Sequence, residues 1–463
     1  MFNHGLVVLR RDLRLQDNLA LQAACTQCHK VSIAFVLDAQ QLKAHAWRST
    51  PGLDFMLNTL IELHQELGSL QSGLTILADE PTSCITKHMQ QQHMDALFIN
   101  HDYTPFARLR DQKINHACND AGLSCHWFHD ALLNPPEHIK NGAGQPYKVF
   151  TAFFKASSRY PVSTPQTYPL QSKLVPMPAD AWQSHLQTIR QQQNPHAKLY
   201  LGRTQAIGML ESLEQQQDYA QTRDTLALDA TTHLSVHLKF GTVSVREVYA
   251  FIFQILGQDH PLLRQLYWRD FFYHIAYHFP QVFGHAFLPQ FESIAWDNDE
   301  VKFQQWCEGN TGFPIVDAGM RELADTGYMH NRVRMITASF LVKDLHIDWR
   351  WGEAWFARHL RDYDPAINNG NWQWAASTGC DAQPWFRIFN PWRQQERFDP
   401  QGKYIRRWLP NLNDASNQQL LKWHTLGDAS LHALPMLDHG VESKRCKAIY
   451  QQAHQLFQGE NHA

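Results

Sequence analysis

The sequence predicts an α/β amino-terminal domain, a parallel five-stranded doubly wound sheet, followed by an all-α carboxy-terminal domain. Three observations point there. Residues 1–130 alternate short apolar runs with helical patterns, as a parallel sheet covered on both faces requires. Beyond residue 200 the strand signal fades and apolar residues recur every three or four positions. A chain of 463 residues is also too long for one ordinary core. The expected boundaries are 1–130 for the α/β domain, 131–200 for a connector and 201–463 for the helical domain.

In order, strands are expected at 6–10, 31–37, 74–78, 96–100 and 124–128, with amphipathic stretches near 17–29, 52–69, 83–94 and 106–121 between them. Sheets of this kind bind ligands at the carboxyl ends of their strands. No Gly-x-Gly-x-x-Gly fingerprint follows Leu9 and no phosphate-cradling Walker loop occurs, so the domain does not advertise a dinucleotide or a nucleoside triphosphate. The connector is rich in Pro, Gln and Ser, with a short helix expected around 147–158. Further on, 262–279, 318–326 and 331–343 read as helices, with Asp325-Thr326-Gly327 separating the last two.

Composition narrows the function classes. Hydrophobic content of 44% and charged content of 18% describe a folded chain, and the formal net charge of −3 means that any nucleic-acid affinity rests on segregated basic residues. No apolar run reaches the ~20 residues of a membrane span, and the first residues lack a signal-peptide core. The expectation is a cytoplasmic protein with its eight cysteines reduced. The 27 histidines lack the paired spacing of a zinc site, so no metal is expected. Cys25-Thr26-Gln27-Cys28-His29 matches the attachment spacing of c-type haem, but that chemistry requires export, and chance spacing is the better reading.

The stretch 327–386 is the expected functional centre. Trp349, Trp372 and Trp374 stand there among Arg, Asp and Asn, which suits a large, flat, hydrogen-bonding ligand beside aromatic rings. Arg334, Asp362 and Asp364 read as a charge cluster, or as ties between helices. Asn331 and Asn368 offer amides that donate and accept. Trp268 and Trp374 read either as core or as a clamp on a flat base. Thr231, Thr232 and Ser235 precede a helical pattern, where hydroxyls serve as N-caps or bind phosphate. Late in the chain Arg387, Arg393, Arg397, Lys403, Arg406 and Arg407 are interleaved with Trp385, Phe386, Phe389, Trp392, Phe398 and Tyr404, a pattern that suits phosphate contact with base stacking.

Together these motifs resemble the photolyase/cryptochrome family, closest to its class I branch acting on cyclobutane pyrimidine dimers. The resemblance runs from Arg10-Arg11-Asp12-Leu13-Arg14-Leu15-Gln16-Asp17-Asn18 through Gly312-Phe313-Pro314-Ile315-Val316-Asp317-Ala318-Gly319-Met320 and residues 327–391 to Lys403-Tyr404-Ile405-Arg406-Arg407-Trp408-Leu409-Pro410. It implies FAD in the helical domain, UV-damaged DNA as partner, a monomer, and light-driven splitting of the dimer by an electron from reduced FAD. Tyr219, Thr231, Thr232, Leu234 and Ser235 match the family's phosphate-binding segment. Arg269, Arg334, Asp362, Asp364 and Asn368 match its flavin contacts, with Asn368 at the N5 edge. Trp372, Trp349 and Trp296 match its electron-carrying tryptophans. Trp268, Trp374, Asn331, Met335, Arg332 and Arg387 match the pocket for the flipped-out lesion, with Arg332, Arg387, Arg393, Arg397 and Lys403 as the DNA-contacting set.

Two departures stand out. Gln265 occupies the position where dimer-splitting members carry Glu. Glutamine is typical of (6-4) photolyases and animal-type cryptochromes, but Asn331 and Met335 stand where the (6-4) enzymes place histidines. Phe106-Ala107 stands where folate-binding members have Asn-Glu, which argues against a folate antenna and leaves the identity of any second chromophore open. The competing readings are a cryptochrome-like blue-light receptor and (6-4) repair.

Overall fold

A computed structural model describes residues 1–194 and 201–460. The chain forms two compact units, Met1–Gln217 with Thr232–His278, and Asp218–Thr231 with Phe279–Ala463.

The first unit is built on a five-stranded parallel sheet ordered β3-β2-β1-β4-β5, from β1 (Phe2–Leu9), β2 (Cys28–Val36), β3 (Leu74–Leu77), β4 (Ala96–Asn100) and β5 (Ser124–Phe128). The helices between the strands are α1 (Leu19–Gln27), α2 (Thr50–Ser69), α3 (Pro81–Gln91) and α4 (Pro105–Asp120). The crossovers place apolar layers on both faces, so β1 is a buried apolar run from Leu6 to Leu9 and β4 is buried throughout. β1 starts earlier than the apolar run suggests. Gly5 lets it lie close beside β2, where a Cβ would sit 2.6 Å from the Cys28 sulfur. Cys25 and Cys28 are both buried, and burial raises the two thiols, as suits packing rather than haem attachment.

The same unit carries α5 (Phe150–Ser157), α6 (Ser235–Phe240), α7 (Val245–Leu256) and α8 (Pro261–His278). α7 opens with a capping box, Ser244 and Glu247 each bonding the other's backbone N–H. Buried Arg246 reaches Asp17 at 2.9 Å and Asp130 at 2.7 Å, and Arg14 meets Asp130 at 2.6 Å. Residues of the Arg10–Asn18 motif thus anchor helix to sheet.

The second unit is helical: α9 (Pro314–Thr326), α10 (Asn331–Lys343), α11 (Trp349–His359), α12 (Pro365–Ala376), α13 (Pro391–Phe398), α14 (Lys403–Trp408) and α15 (His439–Glu460). Its starts are chemically marked. His330, Asp348, Asp364 and Asn390 each accept from backbone N–H groups of the turn that follows. Gly327 ends α9 at φ +66°, which a glycine adopts without penalty, and its carbonyl accepts from Arg361 N at 2.7 Å. No helix among the described residues is long and apolar enough to cross a membrane.

α11 and α12 approach closely in this core, where a Cβ on Gly352 would overlap the Trp372 ring. We expect Gly352→Ala to destabilise the unit by about 2–3 kcal/mol, since an added methyl in a filled core displaces its neighbours. Urea unfolding checks this, and an unchanged midpoint contradicts it.

Candidate active site

The candidate residues lie in both units, and each set is built up within its own. In the second unit Asp364, at the residue before Pro365, caps α12: its Oδ1 accepts from Ala366 N at 3.0 Å and Ile367 N at 3.2 Å. Arg334 Nη2 donates to Asp362 Oδ2 at 2.9 Å and its Nε to the Met329 carbonyl at 2.7 Å. Burial works against the Arg334 charge, but the Asp362 carboxylate outweighs it.

One turn into α12, Asn368 is buried and donates through Nδ2 to the Glu353 carbonyl at 3.1 Å. A carbonyl can only accept, so this bond fixes which way the amide faces and leaves its oxygen as acceptor. Asn369 donates to the Glu353 carboxylate at 3.0 Å. Glu353 was not among the candidates from sequence. Its position, four residues after the Trp349 singled out there, carried no signal until the fold placed it beside two asparagines.

Trp372 and Trp349 are buried in one apolar core, and Trp296 packs half-buried against its edge. Trp306, not read from the sequence as functional, meets Trp372 edge-on at 6.3 Å. The Arg350 guanidinium lies 4.8 Å from the Trp349 ring centre. On α10, Asn331 and Met335 touch one turn apart, with Nδ2 3.9 Å from Sδ, and Trp374 is half-buried on α12.

The segment with Tyr219 and Thr231 belongs to this unit. Tyr219 is half-buried with Arg223 5.8 Å from its ring, and Thr231 Oγ1 lies 3.4 Å from the Tyr328 hydroxyl. Burial pushes the Tyr328 phenol up to about 12, so it stays protonated.

In the first unit, α6 starts without the hydroxyl cap that its sequence suggests. Leu234 occupies the cap position and makes no side-chain cap bond, while Thr232 Oγ1 accepts from Leu234 N at 3.5 Å and Ser235 is exposed. On α8, half-buried Gln265 makes no side-chain hydrogen bond among the described residues. Trp268 has one face covered by Phe150 of α5, with ring centres 3.6 Å apart and planes at 8°. Arg269 is buried and donates to the Ala131 carbonyl at 2.6 Å.

The basic segment divides on folding. Arg387, Arg393, Arg397 and Lys403 are exposed and form no salt bridge among the described residues. Arg406 instead donates to the Gln401 and Ala415 carbonyls at 2.6 and 2.7 Å, and Arg332 is paired with Asp224 at 2.8 Å. The aromatics divide too. Phe386 is exposed, but Phe398 and Tyr404 are core residues, and Trp392 stacks on Phe313 at 4.6 Å.

Burial pushes the Glu353 carboxyl up to about 7 from 4.5, against the lowering effect of the Asn369 hydrogen bond. Between those values the folded chain holds more protons than the unfolded one. The contribution of Glu353 to stability is therefore full below about pH 4.5 and lost as pH rises through about 7. Glu353→Gln should stabilise the protein relative to the parent more at about pH 8 than at about pH 5.5 in urea unfolding; equal differences at both would contradict this.

Comparison with known proteins places the chain. Residues 6–170 match the DNA photolyase family model, and residues 262–452 match the FAD binding domain of DNA photolyase. The deoxyribodipyrimidine photo-lyase of Synechococcus sp. is 36% identical, over 96% of this chain and 95% of that one. An archaeal photolyase from Sulfolobus tokodaii, solved with two FAD molecules, superposes with a TM-score of 0.87 at 37% identity, covering 97% of this chain and all of that one. A cryptochrome of Synechocystis sp. superposes at 0.86 with 25% identity, covering 96% and 99%. On these matches, with the five-stranded parallel sheet and the helical unit in keeping, the chain belongs to the DNA photolyase family.

Proposed function

We propose that this protein is a light-dependent DNA-repair lyase that splits cyclobutane pyrimidine dimers. The observation that carries the reading is Asn368: a buried amide, fixed by Glu353, with its oxygen left to accept a proton-bearing ring nitrogen. That is the group a reduced flavin presents at N5. The donor set fits FAD in other respects. Arg334 and Asp362 supply paired charge for a ring edge, and Tyr219, Thr231, Thr232, Leu234 and Ser235 supply hydroxyls and backbone N–H groups for the phosphates, with Arg269 beside them in role. Asp364 acts by holding the start of α12 in place.

Reduced FAD, when bound and excited, supplies the single electron that opens the cyclobutane ring and takes it back. The chain does the rest. Trp296, Trp349 and Trp372, graded from half-buried to buried, relay electrons inward from solvent. Trp268 and Trp374 stack on the extruded bases, with Phe150 backing the former, and Gln265 donates an amide N–H to a pyrimidine carbonyl. Asn331 and Met335 offer the lesion no acidic proton, which favours dimers over (6-4) products. Arg387, Arg393, Arg397 and Lys403 meet phosphates.

We also propose that no folate antenna is carried. Phe106 is 54% exposed where folate-binding members have Asn, and the Ala107 N–H is spent on Thr104. The archaeal photolyase with two FAD molecules makes a second flavin the ligand to try first, ahead of a deazaflavin. We place the protein in the cytoplasm as a monomer; its cysteines form no disulfide among the described residues, which suits a reducing compartment.

Illumination of the reduced protein with DNA carrying either lesion tests the activity. Restoration of dimers alone is expected; restoration of neither would promote the blue-light receptor reading. Gln265→Glu should preserve or raise the dimer-repair yield, because it adds an acidic proton at the same place. Trp372→Phe should abolish photoreduction of oxidised flavin while leaving repair by chemically reduced protein in place. Unchanged photoreduction would remove the tryptophans from the relay.

A further inference from the structure

Arg332 stands beside the lesion-pocket residues in sequence, but its side chain is already spoken for. Nε donates to Asp224 Oδ1 at 3.1 Å and Nη2 to Oδ2 at 2.8 Å, a bidentate pair 108 residues apart. The guanidinium lies 4.6 Å from the Phe398 ring centre and the side chain is only 16% exposed. Bidentate charge-assisted bonds of this kind are about twice as strong as neutral ones. A DNA phosphate could take only the N–H groups that this pair leaves over and would have to sit next to the Asp224 carboxylate. Arg387, Arg393, Arg397 and Lys403 carry no such neighbour.

Asp224 lies within Asp218–Thr231, between Tyr219 and Thr231. Further contacts hold this segment to the helical body. Leu226 N donates to the Phe398 carbonyl at 3.2 Å, and Thr231 meets Tyr328. The residue under the Arg332 guanidinium is thus the one that takes the segment's backbone bond. We propose that Asp224 and Arg332 are a positioning pair that clamps the Tyr219–Thr231 segment against the start of α10, so that Arg332 serves retention of the flavin phosphates and not contact with DNA. This rests on the reading of Tyr219 and Thr231 as phosphate-segment residues.

The test uses FAD-loaded protein with Asp224→Asn, Arg332→Gln and the double variant. The rate of FAD release is followed by the rise in flavin fluorescence, and affinity for a dimer-containing duplex is measured between about 50 and 200 mM salt. Each single variant should release FAD about tenfold faster, with the double variant no faster than either, since both remove one interaction. The salt slope should not change. Normal release in a single variant, additive effects in the double, or a slope shallower by about one phosphate in Arg332→Gln would overturn the pair. Asp224→Asn keeps shape and removes only charge, so it decides alone if Arg332→Gln fails to fold. Parent protein that purifies without flavin would overturn the pair and the cofactor reading together, and is told apart because the variants play no part in it.

Discussion

A carboxyl group that is buried and must be hydrogen-bonded decides the arrangement of the helical unit. Glu353 is 4% exposed, and an unpartnered carboxyl there would cost several kcal/mol. It is accommodated by Asn369, while its own carbonyl takes the amide of Asn368. These two bonds set the register of α11 against α12. The neighbouring Gly352 has no side chain, so Trp372 can close the same seam from the other helix. Polar satisfaction and shape thus agree on one register. In that register the amide oxygen of Asn368 and the ring of Trp372 are fixed along the same helix–helix seam. The family resemblance names both residues; the seam explains why they are rigid.

Charge is divided with similar economy. A chain of formal net charge −3 has to keep some cations unneutralised if it is to meet a polyanion. Arg14, Arg246, Arg332, Arg334 and Arg406 are committed to carboxylates or carbonyls and hold the fold together. Arg387, Arg393, Arg397 and Lys403 are left exposed. In one stretch of sequence, then, adjacent arginines have opposite tasks, and only burial separates them. The aromatics interleaved with them follow the same division, with Phe386 at the surface and Phe398 and Tyr404 inside.

Legibility in the sequence followed the range of the interaction involved. Strand positions are set by apolar runs and local turns, so β4 and β5 fall where the pattern places them, and β1 is longer because Gly5 permits a close approach that no periodicity signals. The start of α12 is written in Asp364-Pro365, a local cap signal. The hydroxyls before α6 pointed the other way, and the backbone there does not use them as caps. Phe150 reads in sequence as part of a short connector helix, and only the fold stacks it on Trp268.

The sequence by itself determined the two-part architecture, the family and the residue types available to a flavin and a damaged duplex, because those are carried by periodicity and by long local motifs. Tertiary structure alone decided which of those residues are free. Whether an arginine faces solvent or a carboxylate 108 positions away, and whether an asparagine offers its oxygen or its nitrogen, depends on partners that only packing brings within hydrogen-bond range.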